Sequence, residues 1–401
     1  MKKQKRLMLL GGIHYLLPVI KAAHEQGYYV ITADYLPDNV AHQYSDEYCN
    51  VSITDKEAVL QAAKVLNIDG IISFGVDPGV VSAAYVQEHM GLPQMGPYES
   101  VRILQNKDLF RAFLKEHGFN VPEARSYTSK EVALNDTGWF TYPMIVKPTD
   151  SAGSKGVTRI DSLEEYADAI DYAFEKSISG TIIVEEFIDK KGCSSDTDSF
   201  LLNGKLKFVS FNAQRFDENA ANPYTPAAYS WPSTFPEHEE YLKSELQRLL
   251  SLLNMNTSVF NIETRVASNG KPYIMECTPR GGGNRLCEML RYATGVDLIT
   301  AQVRAAVGDS VENVEQKQYD GHWAEIILHA DKDGAFKELV VSPEIPAQII
   351  ERDLWVKENN KVNSFHGAND AIGTLVLRFE NEKNLNSVLC QITKWIKVVV
   401  E

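Results

Sequence analysis

Two short runs carry acidic residues at matching positions: Phe260-Asn261-Ile262-Glu263-Thr264-Arg265 and Tyr273-Ile274-Met275-Glu276-Cys277-Thr278-Pro279-Arg280, separated by Ser268-Asn269-Gly270-Lys271. Asn-Gly is the strongest short-range signal for a two-residue hairpin turn. With Ser268 paired to Lys271, counting outward sets Glu263 opposite Glu276 and Asn261 opposite Thr278. The period-two pleat then puts Arg280 on the face of Glu276 and Thr278. Carboxylates facing each other across a ladder repel, so either one stays protonated or a cation sits between them. The neighbouring amide and hydroxyl oxygens suit a hard divalent ion such as Mg²⁺. The plain alternative is a solvated sheet face with both carboxylates in water. Pro272 cannot donate to a ladder, and a bulge there shifts the facing pair by one residue.

A second group of residues suits phosphate chemistry. In Ser151-Ala152-Gly153-Ser154-Lys155-Gly156-Val157 the glycines let backbone N–H groups approach an anion, and the Ser and Lys side chains add donors. The segment is not a Walker A sequence, and its composition also fits a flexible connection. Lys147 ends an apolar run just before Pro148, and a lysine on a buried strand calls for a charged partner such as a nucleotide phosphate. Lys107, near a helix start, reads by itself as a surface lysine. Glu185 and Glu186 close the apolar run that begins at Thr181, either as an edge charge pair or as partners for a nucleotide base and ribose. Arg215, Arg285 and the loop 222–231 offer bidentate recognition of a carboxylate, or are surface charges.

These side chains sit on a recognisable series of elements. Residues 7–10, a helix through Ala22 and Ala23, and residues 28–34 read as a βαβ unit with a parallel sheet. Thr54 and Glu57 form a capping box for a helix to about Leu66. Asn106 opens an amphipathic helix with Leu109, Phe113 and Leu114 as its apolar positions, and Ser162 with Glu165 caps another. Asn203-Gly204 signals a further hairpin. Residues 212–236 are too long for an ordinary connection and read as a substrate or lid loop. Leu242, Leu246, Leu249, Leu250 and Leu253 form a helical core stripe, and the chain turns strand-rich again after Tyr319.

Composition bounds the partners. A chain of 401 residues with 44% hydrophobic residues is long enough for two or three domains. Its net charge of -14 argues against nucleic acid and anionic membranes, which are bound by clustered Lys and Arg. No stretch approaches the length of a membrane span, and the run 7–10 is too short for a signal peptide. The 5 cysteines show no C-x-x-C spacing, which fits a reducing cytoplasm and neither a disulfide framework nor a zinc knuckle.

A lysine, a strand lysine, a glycine-rich segment, a Val-Glu-Glu-Phe-Ile strand and a carboxylate hairpin ending in Glu-x-x-x-Arg follow one another in an order that resembles the ATP-grasp superfamily. The resemblance covers nearly the whole chain. It implies an α/β fold: an N-terminal parallel-sheet βαβ domain at 1–100, a two-lobed ATP-grasp domain at 101–308 with its lobe boundary near 180–190, and a strand-rich C-terminal extension at 309–401. It implies a carboxylate–amine ligase, in which ATP and Mg²⁺, or Mn²⁺ in its place, convert a small carboxylate to an acyl phosphate that an amine attacks. By resemblance, Lys107 and Lys147 contact ATP, and Ser151, Gly153, Ser154, Gly156 and Val157 close over its phosphates. Glu185, Glu186, Phe187 and Ile188 hold the adenine, and Ser194 or Asp196 stands where the family has its ribose-binding glutamate. Glu263 and Glu276 bind the metal, with Thr278 where the family has an asparagine. Arg280 stabilises the acyl phosphate, with Lys155 and Arg215 beside the reacting groups. The nearest subgroups are L-amino-acid ligases and the phosphoribosylglycinamide ligases and transformylases of purine synthesis. A carbamoyl-phosphate synthetase is disfavoured because no grasp unit is duplicated, and a biotin enzyme because no biotinyl-lysine segment is present. The other reading is an ATP-binding regulatory protein without catalysis. A homodimer acting on small molecules completes the expectation.

Overall fold

Hydrophobic period and turn chemistry account for most elements of the chain. The computed structural model describes residues 3–150, 155–233 and 235–401. It divides into two compact units: Met1–Ala124, Thr197–Ser210 and Glu237–Lys317 form the first, and Arg125–Asp196, Phe211–Pro236 and Gln318–Glu401 the second.

The first unit opens on the expected parallel sheet, ordered Glu47–Asn50, Tyr29–Asp34, Arg6–Leu10 and Gly70–Ser73. Leu7, Met8, Leu9 and Leu10 are all fully buried, as strands covered on both faces must be. The helix Lys56–Leu66 is capped one residue later than the capping box suggests. Asp55 accepts the Ala58 N–H at 3.0 Å, while the Thr54 hydroxyl is taken by Ser52. A second sheet runs Lys205–Phe208, Ser195–Leu202, Ser258–Val266 and Pro272–Thr278. Asn203-Gly204 makes the expected two-residue turn, with Leu202 paired to Lys205 and both turn residues at positive φ. The helix Glu239–Leu252 buries Leu242, Leu246, Leu249 and Leu250, as its stripe requires. The helix Lys107–Glu116 departs from expectation by burying Phe110, Arg111 and Leu114 and leaving Leu109 exposed. A polar side chain takes the inner face there because Arg111 Nη1 donates to the Met275 carbonyl at 2.8 Å.

The second unit holds the sheet Ala124–Tyr127, Ile182–Glu186, Met144–Pro148 and Thr158–Ile160, covered by the helix Tyr166–Lys176. Met144, Val146, Ile182 and Val184 pack on that helix, which leaves Lys147 and Glu185 on the opposite face by the period of two. Ser162 makes no capping bond, although Glu165 accepts the Asp161 N–H at 2.7 Å. The expected long loop at 212–236 is not one loop. It contains the antiparallel strands Ala213–Phe216 and Pro226–Trp231, so the connection shrinks to 217–225. Neither strand contains a β-branched residue, and Asn and Pro fill the connection between them, so the local strand signal is weak. The sheet continues through His322–Leu328, Gly373–Phe379 and Gln348–Leu354. One of its faces, including Ala228, Ala324, Ile326, Leu375 and Leu377, joins Leu385 and Val388 in a core.

Candidate active site

In the first unit the two carboxylates face each other as expected, with Glu263 paired to Glu276 and Asn261 to Thr278. The path to that register differs from the simple count. The turn is one residue longer: Gly270 N–H donates to Ala267 O at 2.8 Å and Ala267 N–H to Lys271 O at 2.9 Å, with Gly270 at φ +82°. A three-residue loop with a left-handed glycine is the next most common hairpin connection. The shift it introduces is cancelled by a bulge at Met275, which lies unpaired between Ile274 opposite Thr264 and Glu276 opposite Glu263. Pro272 sits in the ladder opposite Val266. The Met275 carbonyl, turned out of the ladder, is the one that Arg111 satisfies.

Repulsion between the carboxylates is relieved by side chains of the chain itself. Lys107 Nζ lies 3.3 Å from Glu276 Oε1, and Arg265 Nη2 lies 3.4 Å from Glu263 Oε1. Lys107 is therefore not the surface lysine that it is when read alone; its side chain is 17% exposed. Burial pulls its pKa down, but Glu276 and Asp77 outweigh that and hold it above the ordinary lysine value.

Arg280 is buried, and its Nε and Nη2 donate to Asp77 Oδ1 at 2.8 and 2.7 Å while Nη1 donates to Gly281 O at 3.1 Å. Asp77 lies in the turn after the last strand of the parallel sheet, and nothing in the local sequence ties it to Arg280. Gly281 and Gly282 are packed tightly: a Cβ on Gly281 lands 2.2 Å from the Phe74 ring and one on Gly282 2.5 Å from Leu286, and the Gly281 carbonyl accepts the Gly75 N–H at 2.9 Å. Asp198, fully buried, holds this segment. Its Oδ1 accepts from Gly282 N–H at 2.8 Å and from Asn261 Nδ2 at 3.2 Å, and its Oδ2 from Cys287 Sγ at 2.9 Å. Sequence reading missed it, because Asp198 lies in the polar first half of the strand Ser195–Leu202, where nothing local sets it apart from Asp196. Arg285 is also not a surface charge. It pairs with Glu288 at 3.1 Å, and both side chains are largely buried.

Burial raises the Asp198 pKa, and the bonds from Cys287 and Gly282, with the Arg280 charge, only partly offset it. A carboxyl that binds its proton more tightly in the folded state loses its stabilising contribution as pH rises from the ordinary carboxylate pKa through its raised folded value. Asp198→Asn keeps an acceptor at the Oδ1 position and cannot titrate. Urea midpoints measured across that pH window are expected to fall with pH in the parent and to flatten in the variant.

In the second unit the strand lysine finds its partner in the protein: Lys147 forms an ion pair with Glu185, with Lys147 8% and Glu185 2% exposed. Glu186 points to solvent, the Phe187 ring lies 4.6 Å under Arg159, and Ile188 is buried. Lys155 is exposed, Gly156 buried and Val157 half-buried, whereas Ser151, Gly153 and Ser154 lie outside the described residues. Ser194 is fully buried, and its backbone carbonyl accepts the Gln214 N–H at 2.8 Å. Asp196 Oδ2 accepts from the Tyr229 hydroxyl at 3.0 Å and from Gln214 Nε2 at 3.4 Å. Among the described residues, Ser194 Oγ, Gln214 Oε1, Arg215 Nε and Ser230 Oγ are buried with no hydrogen-bond partner. Such orphaned polar atoms are costly unless a ligand or water completes them.

Residues 140–288 match the family model described as ATP-grasp domain. Among curated proteins, the large chain of carbamoyl phosphate synthase from Thermoanaerobacter sp. (strain X514) is 24% identical over 56% of this chain. That alignment covers 20% of the longer relative. Phosphoribosylglycinamide synthetase from Anaerococcus prevotii superposes with a TM-score of 0.75 at 22% identity, covering 100% of both chains. L-amino acid ligase from Bacillus licheniformis superposes with a TM-score of 0.82 at 18% identity, again over 100% of both. Residues 140–288 thus carry an ATP-grasp domain, and the chain shares its fold along its whole length with these solved structures.

Proposed function

We propose that this protein is an ATP-dependent carboxylate–amine ligase, acting on an amino acid or another small carboxylate through an acyl phosphate. The observation that carries the reading is the hairpin that sets Glu263 opposite Glu276 and Asn261 opposite Thr278 while Arg280 is held beside it by Asp77. These hard oxygen donors fit Mg²⁺ or Mn²⁺, with Glu263, Glu276 and Thr278 as its holders. When bound, the ion supplies charge neutralisation to phosphoryl oxygens.

The remaining work falls to side chains. Arg280, fixed in direction by Asp77, offers its guanidinium to the negative charge of the acyl phosphate. Asp198 keeps the Gly282 N–H and the Asn261 amide in place behind it. In the second unit, Lys147 with Glu185, Glu186, Phe187, Ile188 and the segment 151–157 engage the nucleotide, and the orphaned Ser194 hydroxyl is available to its ribose. Arg215, with a buried Nε lacking a partner, and exposed Lys155 attend the substrate. Among the described residues no helix is long and apolar enough to cross a membrane, and all 5 cysteines are free. Both features accord with a cytoplasmic setting, and we take the working assembly to be a homodimer.

The test is ADP release by the purified chain with Mg²⁺-ATP and paired amino acids, and separately with glycinamide ribonucleotide as amine acceptor. Release that needs both a carboxylate and an amine is the expected result. Activity only with the ribonucleotide moves the protein to purine synthesis, and nucleotide binding without turnover in any pairing makes it a regulatory protein.

A further inference from the structure

A second cluster of ligating groups lies within the second unit, on residues that are no part of the carboxylate hairpin. Asp217 follows the strand Ala213–Phe216, and His329 and Asp331 follow the strand His322–Leu328. One ligand atom from each of the three lies within 4.8 Å of the others. Ala330 forms a bridge with Ser364, and the period-two alternation around it turns His329 and Asp331 to a common side. The His329 ring is stacked on Phe365 at 4.2 Å between centroids, with the Phe365 side chain buried.

The imidazole hydrogen bonds argue for a cation. His329 Nδ1 lies 2.8 Å from the Ile327 carbonyl, which can only accept, so Nδ1 carries a proton. Nε2 lies 3.2 Å from Asp217 Oδ2. Two acceptors at that separation need a shared proton or a shared metal ion. A proton serves the His329–Asp217 contact alone, whereas an ion also engages Asp331, and among the described residues no lysine or arginine pairs with either carboxylate. A ring N–H given to a backbone carbonyl is the usual outer bond of a metal-bound histidine. Asp217 is further fixed by the Asn219 N–H at 2.9 Å.

We propose that Asp217, His329 and Asp331 bind a divalent transition-metal ion of zinc type that clamps the 217–225 connection to the end of the His322–Leu328 strand. One imidazole nitrogen and two carboxylate oxygens suit Zn²⁺, with water as a fourth ligand. The ion's charge matches that of two carboxylates and a neutral imidazole. The site does not depend on the ligase reading, because it needs neither nucleotide nor the Glu263–Glu276 hairpin.

The test uses the full chain, stripped with chelator and titrated with zinc alone by calorimetry and elemental analysis, without nucleotide. About one equivalent of zinc per chain is expected, retained in Glu276→Ala and weakened by at least ~10-fold in His329→Ala and in Asp331→Asn. Asp331 is exposed, so Asp331→Asn reads metal binding with little risk to folding. Failure of the parent to bind zinc, or affinity unchanged in both variants, overturns the proposal and leaves a protonated His329–Asp217 ion pair.

Discussion

Replacing Glu276 by alanine is expected to abolish most of the proposed ligase turnover while the chain stays folded. Glu276 is the more exposed of the paired carboxylates, at 44% of its side chain against 26% for Glu263, and so the more available to an incoming ion. A metal that stabilises developing phosphoryl charge contributes several kcal/mol. Losing about 4 kcal/mol of that stabilisation lowers kcat/KM by on the order of 10³-fold. The variant also removes the anion nearest Lys107, whose raised pKa keeps it charged, so some stability is lost as well. ADP release should be measured over a Mg²⁺ titration, with circular dichroism on the same samples. Turnover equal to the parent at all Mg²⁺ concentrations would falsify the metal role of the hairpin.

Lys147→Met is expected to produce the largest loss of stability. It leaves the Glu185 carboxylate, 2% exposed, without the ammonium that it meets in the sheet. Breaking a buried ion pair from one side costs about 3–5 kcal/mol because the remaining charge has lost its counterion. Replacing both partners, as Lys147→Met with Glu185→Leu, removes the buried charge as well and is expected to recover most of that loss. The readout is the urea midpoint, set beside binding of a fluorescent ATP analogue. Stability should return in the double variant while nucleotide affinity stays low. Recovery of both means that the pair is purely architectural, and recovery of neither means that the single variant fails for another reason.

The outcome at the hairpin shows how sequence patterns and tertiary packing divide the work. The facing pair is legible from the spacing of Glu263 and Glu276 around Asn269-Gly270, yet the count reaches it by a route that the chain does not take. One extra turn residue and one bulge cancel, and the bulge persists because Arg111, distant in sequence, satisfies the Met275 carbonyl. At Asn203-Gly204 the turn forms as the local signal predicts, and the distant side chains that bond it, Thr257 on the Asn203 N–H and Gln247 on the Gly204 carbonyl, leave its pairing unchanged. The stripe of the helix Lys107–Glu116 fails for the reciprocal reason: Arg111 is drawn inward by that carbonyl, which no helical periodicity encodes.

By itself the sequence determined the alternation of strands and helices, the parallel opening sheet, the carboxylates in register and the order of motifs that resembles an ATP-grasp domain. Those features rest on periodicity, turn residues and short spacings, which act over a few residues. Only the tertiary structure decided which charges meet: Lys147 with Glu185, Lys107 with Glu276, Arg280 with Asp77, and Asp198 with the glycine segment. Removing charges from water is costly enough that these groups are stable only beside a partner, and the partner is selected by the folded chain's geometry rather than by proximity along it.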